Sequence, residues 1–237
     1  CKNKGNTVRT IRLKVKSLWH YFRYLIACGE LSSNPAELVQ IKGVTKTVPA
    51  NLLTSEELTE IYKLQTTFGL IEKRNKVLLS LVVFQGVGSK ELSLIELKDV
   101  DLINGTIYIP SLRTTNGRTL ELKVQQLLLF QDYLLNVRPL ILQKATKESD
   151  HLLISSGSGS KLTNTISLVL RSLRVKYPKL KDLQQIRQSV VSEWVKQYGL
   201  RKAQYMAGHK YVSSTERYNT DKLEALKKSV KSCFPLQ

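Results

Sequence analysis

Apolar side chains recur at three- and four-residue intervals between residues 6 and 29: Val8, Ile11, Val15, Leu18, Trp19, Phe22, Leu25 and Ile26. That period predicts an amphipathic helix, and Arg9, Arg12, Lys14, Lys16 and Arg23 fill its polar side. Gly29 stands where a helix end takes a left-handed residue. Asn34-Pro35 predicts a short helix, with Asn34 as N-cap and Pro35 in the first turn. Residues 42–52 have no period and predict a basic linker. Thr54 and Glu57 have capping-box spacing, opening a helix to about Thr66. The next helix, from about Leu70 to Phe84, is apolar enough in its second half to sit in the core. Gly86-Val87-Gly88-Ser89 interrupts it, and Lys90 to Glu96 resumes a helix. Thr106–Pro110 and Arg118–Lys123 alternate as strands do, with Asn116-Gly117 as the turn and Arg113 near the hairpin tip. Helices are predicted over about 124–145, 162–176, 182–198, 200–207 and 221–232, and Ser155–Ser160 reads as a flexible loop. The predicted fold is mainly α, an α+β chain with one small antiparallel sheet.

Length and composition narrow the setting. A chain of 237 residues has room for two domains. No apolar run reaches the roughly 18 residues of a membrane span. The start, Cys1-Lys2-Asn3-Lys4-Gly5, has no apolar signal-peptide region, and a first residue other than Met predicts a fragment. Cys1, Cys28 and Cys233 lack metal-ligand spacing and read as free thiols in a reducing compartment, which predicts a cytoplasmic protein. Charge changes the picture most: 37 Lys+Arg against 19 Asp+Glu give a net +18. Nucleic acid is the first partner such a surface implies. A membrane surface is the weaker alternative, since no lipidation signal accompanies the charge. An RNA-binding module ranks lower still, because no strand carries aromatic stacking platforms.

Candidate chemistry lies near the end of the chain, in Gly208-His209-Lys210-Tyr211-Val212-Ser213-Ser214-Thr215-Glu216-Arg217-Tyr218. A phenol attacks a phosphodiester only where cations neutralise the charge that builds on phosphate. Tyr218 is the candidate nucleophile, His209 the candidate proton donor and Arg187 the candidate phosphate clamp. With 10 tyrosines in the chain, Tyr218 alone carries little weight; the order Arg, Gly-His, Tyr carries more. The plainer alternatives are Arg187 paired with Glu193 or a helix-terminal carbonyl, His209 as a structural histidine, and Trp194 as a core residue.

These segments resemble the tyrosine recombinase/integrase family, the phage-integrase and Xer-like enzymes. Gly29-Glu30-Leu31-Ser32-Ser33-Asn34-Pro35-Ala36 resembles the end of that family's helical core-binding domain. Leu53-Thr54-Ser55-Glu56-Glu57-Leu58 resembles the opening of its catalytic domain. Gln85-Gly86-Val87-Gly88-Ser89-Lys90-Glu91-Leu92 resembles the first conserved box, and Met206-Ala207-Gly208-His209 with Ser214-Thr215-Glu216-Arg217-Tyr218 the second. The resemblance implies three regions: residues 1–43 as the end of the core-binding domain, 44–52 as linker, and 53–237 as a mixed α/β catalytic domain with a small antiparallel sheet. It implies a site-specific recombinase that cuts DNA through a 3′-phosphotyrosyl link and conserves bond energy, so that no cofactor or metal is required. The alternative is a DNA-binding relative that regulates recombination without cleaving.

Position by position, the resemblance places the nucleophile at Tyr218, the histidine of the second box at His209 and one arginine at Arg187. The other arginine falls on Gly88, which has no side chain; Lys90, two residues on, and Arg74, a full helix away, are the candidates to replace it. The hairpin lysine falls on Arg113, whose pKa is too high for a general acid but which can bind phosphate. Gln184 stands where a histidine is usual; it can donate a hydrogen bond but cannot titrate. Arg9, Arg12, Lys14, Lys16 and Arg23, with Lys42, Lys46 and Lys161, are the candidate DNA-backbone contacts. The implied partners are double-stranded DNA and further copies of the chain, joined through the helix after Tyr218. The implied setting is a prokaryotic cell or the host of a phage or mobile element.

Overall fold

The computed structural model describes residues 5–43, 51–144, 149–155 and 162–219. The helix expected at 221–232, Ser156–Ser160, Lys46 and Lys161 lie outside the described residues. The chain divides into two compact units, Cys1–Thr47 and Val48–Gln237.

In the first unit, α1 spans Val8–Ala27. Thr7 caps it, accepting a hydrogen bond from the Thr10 amide at 3.3 Å. Gly29, at φ +78°, ends it: its amide bonds Ile26 O and the Glu30 amide bonds Leu25 O, each at 3.0 Å, the pairing of a Schellman end. The helix predicted at Asn34-Pro35 is only a turn. Asn34 Oδ1 does accept from the Ala36 amide at 2.9 Å, as a cap would. The chain nonetheless leaves after one turn, where a single hydrogen bond does not offset the dihedrals fixed to nucleate a helix.

In the second unit, α2 (Ser55–Leu64) opens with the predicted capping box. The Thr54 amide donates to Glu57 Oε2 at 2.8 Å, and the Glu57 amide to Thr54 Oγ1 at 3.3 Å. Next, α3 (Leu70–Gln85) is buried on several faces through Val77, Leu78, Leu79, Leu81, Val82 and Val83. It packs against α2, α5, α6 and α8. Each such side chain contributes about 1.5–3 kcal/mol on burial. Gly86 ends α3 at φ +56°, its backbone close under Trp194. The helix predicted from Lys90 to Glu96 is a single turn, α4 (Ser89–Leu92), followed by a 3₁₀ turn at Leu97–Asp99.

Strands β1 (Val100–Asp101), β2 (Thr106–Ile109) and β3 (Arg118–Glu121) form an antiparallel sheet in chain order. Ile107 pairs with Leu120, and Tyr108 with Thr119. The hairpin turn lies at Arg113-Thr114, closed by a Leu112–Thr115 bridge, and not at Asn116-Gly117. The Asn116 amide is instead drawn to Gly208 O at 2.8 Å, which removes it from the hairpin.

The helix predicted over 124–145 is α5 (Val124–Asp132), a π-helical segment at Tyr133–Val137, and α6 (Arg138–Gln143). Pro139 lacks an amide to continue the ordinary bonding, which accounts for the irregular step before it. Then come α7 (Thr163–Lys176), α8 (Leu183–Ala207) and the single turn α9 (Ser213–Glu216). The two helices predicted at 182–198 and 200–207 run together as α8, kinked at Gly199, whose φ of +77° and ψ of 171° are not helical. Arg74 is buried and donates to Ile154 O at 2.9 Å, so it holds the 149–155 segment and is not a phosphate ligand. No helix among the described residues is long and apolar enough to cross a membrane.

Candidate active site

The site forms where α8 ends. A helix terminus leaves its last carbonyls without helical partners, and its dipole favours cations there. In α8 these carbonyls are taken up one after another. Gln204 O accepts from the His209 amide at 3.1 Å and Tyr205 O from the Gly208 amide at 2.9 Å. Met206 O accepts from Arg118 Nε at 2.6 Å and Ala207 O from Arg187 Nη2 at 2.7 Å. Gly208 O accepts from the Asn116 amide, and Thr115 bridges His209 beside it. The hairpin and two arginines therefore cap the helix that leads to His209. Gly208 is needed for the turn: it sits at φ +69°, and a Cβ there would lie 2.5 Å from Arg118 Nη1 and 2.9 Å from Asn116 O.

Glu91 joins the two arginines from the opposite side. Its carboxylate takes Arg118 Nη1 at 2.8 Å and Nη2 at 3.3 Å, and Arg187 Nη1 at 2.7 Å. It also accepts from the Gly88 amide at 2.8 Å. Burial pushes the Glu91 carboxyl up, but the Arg118 hydrogen bond and the charges of Arg187 and Arg118 outweigh it and hold the group below the usual carboxylate range. Arg118 has no exposed side-chain surface, whereas Arg187 retains 15%. A guanidinium has five N–H donors. Arg187 places both Nη1 hydrogens on Gly86 O and Glu91 and one Nη2 hydrogen on Ala207 O. Nε–H and the second Nη2–H are not used by these bonds.

His209 and Tyr218 complete the group. Their rings stack at 6.1 Å between centroids and 12° between planes. His209 Nδ1 is 2.8 Å from the Thr215 hydroxyl, which fixes the ring and leaves Nε2 to the site. Burial lowers the His209 pKa first, and the positive charges of Arg187, Arg217 and Arg118 lower it further, to about 4. The imidazole is therefore neutral at pH 7. Tyr218 is only 3% exposed. Arg217 Nη2 donates to its phenol oxygen at 2.9 Å.

Arg187, His209 and Tyr218 thus come together, though 31 positions separate the first from the last (218 − 187). The alternative set against Arg187 describes a second set of its contacts: it does bond a helix-terminal carbonyl, and its carboxylate partner is Glu91 rather than Glu193. Gln184 is exposed one turn before Arg187 on α8, Lys90 is exposed on α4, and Arg113 is exposed at the hairpin tip. Arg9, Arg12, Lys14, Lys16 and Arg23 are exposed along α1, and Lys42 is exposed beyond it. Trp194 is buried in the core. Sequence reasoning missed Glu91, Arg118 and Arg217. For Arg118 the signal is the alternation Arg118-Leu120-Leu122, which places a cation on the inner face of a strand.

Comparison with known proteins identifies the family and the fold. The model of the phage integrase family matches residues 51–224. Tyrosine recombinase XerC of Bacillus subtilis (strain 168) is 24% identical over 235 residues, 98% of this chain and 77% of that protein. XerC of Bacillus licheniformis is 25% identical over 237 residues, with the same coverage. Among solved structures, XerH recombinase bound to its palindromic difH substrate in a post-cleavage complex superposes with a TM-score of 0.77, at 20% identity, over 96% of this chain and 68% of that one. A λ integrase dimer bound to a core site superposes with a TM-score of 0.61, at 17% identity, over 91% and 60%. With the family model spanning most of the second unit and the site residues gathered inside it, the chain belongs to the phage integrase family, the tyrosine recombinases.

Proposed function

We propose that this protein is a site-specific DNA recombinase in which the Tyr218 oxygen attacks a scissile phosphodiester. The Oη–P bond forms as the P–O5′ bond breaks, and the net transfer of the phenolic proton yields a 5′-hydroxyl. The hydroxyl of a second strand then attacks the 3′-phosphotyrosyl link and restores Tyr218. Arg187 binds the phosphate through the two donors its protein contacts leave unused. His209, neutral at rest, presents Nε2; an adjacent phosphate anion raises its pKa and favours the protonated form that can donate to a phosphate oxygen. The observation that carries the proposal is the convergence of Arg187, His209 and Tyr218 at the end of α8 within a family of recombinases.

At 3% exposure Tyr218 cannot meet a duplex as it stands, so attack requires the segment around α9 to turn the phenol outward. The exposed cations of α1, with Lys42, Lys46, Lys161, Lys90 and Arg113, are proposed to hold the DNA backbone. Residues 1–43 are proposed as the end of a core-binding domain, joined by 44–52 to the catalytic domain at 53–237. The chain is proposed to work as a dimer or tetramer on DNA through residues after Tyr218, in the cytoplasm of a cell that carries the target.

The test uses a duplex isolated from a random-sequence pool by binding to the Tyr218→Phe protein. The duplex is nicked near the cleavage point so that the released fragment diffuses away. Wild type is expected to accumulate a covalent protein–DNA adduct on a denaturing gel, and Tyr218→Phe none. Absence of adduct from wild type, or its persistence in Tyr218→Phe, rejects the recombinase reading.

A further inference from the structure

Position 88, where the family resemblance places an arginine, is glycine, and the buried cations nearby are already engaged. Arg118, Arg187 and Glu91 together carry a net single positive charge (two guanidiniums and one carboxylate). Arg118 has no exposed side-chain surface and is held by Glu91 and Met206 O, so it cannot reach a phosphate. Only part of Arg187 faces outward. Lys90 is exposed and has no described contact with Tyr218.

Arg217 differs from all of these. It is exposed, yet its Nη2 lies 2.9 Å from the Tyr218 oxygen, and its guanidinium carbon lies 5.0 Å from the centre of the tyrosine ring. A phosphorus about to be attacked stands about 3–3.5 Å from its nucleophile. A phosphate that approaches Oη from the Arg217 side therefore brings its non-bridging oxygens within hydrogen-bonding reach of a group already bonded to Oη. Arg217 also adjoins Tyr218 in the chain, so it travels with the phenol when α9 turns outward. A planar guanidinium on the phosphate supplies two parallel donors where charge builds.

We propose that Arg217 is a catalytic residue of this chain: it binds the scissile phosphate beside Arg187 and provides the guanidinium that Gly88 cannot. This inference rests on Tyr218 being the nucleophile. Arg217 exchanges no proton in the step. It remains a cation while Oη–P forms and P–O5′ breaks, and its charge offsets the negative charge of the crowded phosphorus.

The experiment compares two versions of the nicked, pool-selected duplex, one with an ordinary scissile phosphodiester and one with a methylphosphonate at that point. The methyl group removes one negative charge and with it part of the need for a cation. Arg217→Gln is expected to slow adduct formation on the phosphodiester by about 100-fold or more. On the methylphosphonate it is expected to come within about tenfold of wild type, and Arg217→Lys to fall between on the phosphodiester. A structural role would leave the variant equally slow on both substrates. Arg217→Gln at or above the wild-type rate, or slow on both duplexes, overturns the proposal while the Tyr218-dependent wild-type adduct keeps the recombinase reading standing. If wild type forms no adduct with either duplex, or Tyr218→Phe forms one, both readings fall together.

Discussion

His209 shows how burial sets chemistry at the level of one residue. Its folded pKa of about 4 lies below the ordinary 6.5, because burial and three neighbouring guanidiniums disfavour the imidazolium. Between those values the unfolded chain binds a proton that the folded chain does not. The contribution of His209 to stability is therefore complete above pH 6.5 and is lost as pH falls toward 4. An NMR titration of the His209 ring is expected to give a midpoint near 4 in the free protein. Unfolding free energy is expected to fall less steeply across that pH window in His209→Gln than in wild type. The grouping of Tyr218, His209 and Arg187 is legible in the sequence through the order Arg, Gly-His, Tyr and the resemblance of the flanking segments to the family's boxes. Arg217 stands in the same motif, but an isolated charge beside a loop reads as solvated until its 2.9 Å distance to the Tyr218 oxygen is known. Arg118 escaped for a related reason: a lone arginine in a short strand gives no sign that a carboxylate 27 positions earlier will meet it.

At the scale of elements, periodicity and capping residues located most helices, and local chemistry decided the rest. The Thr54 capping box and the Gly29 helix end formed as their residue types dictate. The misplaced hairpin turn arose because Asn-Gly is a strong local turn signal, yet a tertiary bond to Gly208 O took the Asn116 amide. Strand β1, at two residues, is too short to leave an alternation. The junction of α8 with the hairpin depends on Gly208, where an L-residue costs about 1–2 kcal/mol for its left-handed backbone alone. Because a Cβ there also lies 2.5 Å from Arg118 Nη1, Gly208→Ala is expected to lose about 2 kcal/mol or more. A lowered midpoint in urea unfolding, with unchanged slope, is the measurement that checks it.

At the scale of the molecule, the net +18 makes DNA binding an ion-exchange reaction as much as a recognition event. If about six phosphates are neutralised, affinity for the selected duplex is expected to fall by about 10³-fold between roughly 50 and 200 mM salt. Replacing Arg12 and Lys16 by alanine is expected to reduce the slope of log affinity against log salt by about two, with little change in sequence preference. Fluorescence anisotropy across a salt series measures both. A protein so basic meets far more ordinary DNA than target, since non-specific sites outnumber a specific one by many orders of magnitude. Tyr218 lies 3% exposed, beneath Arg217 and against His209. Casual encounters can therefore hold the protein on a chromosome without exposing the phenol. In the proposed reaction, a covered nucleophile at Tyr218 would separate the search for a site from the breaking of strands, and so limit stray damage along the way.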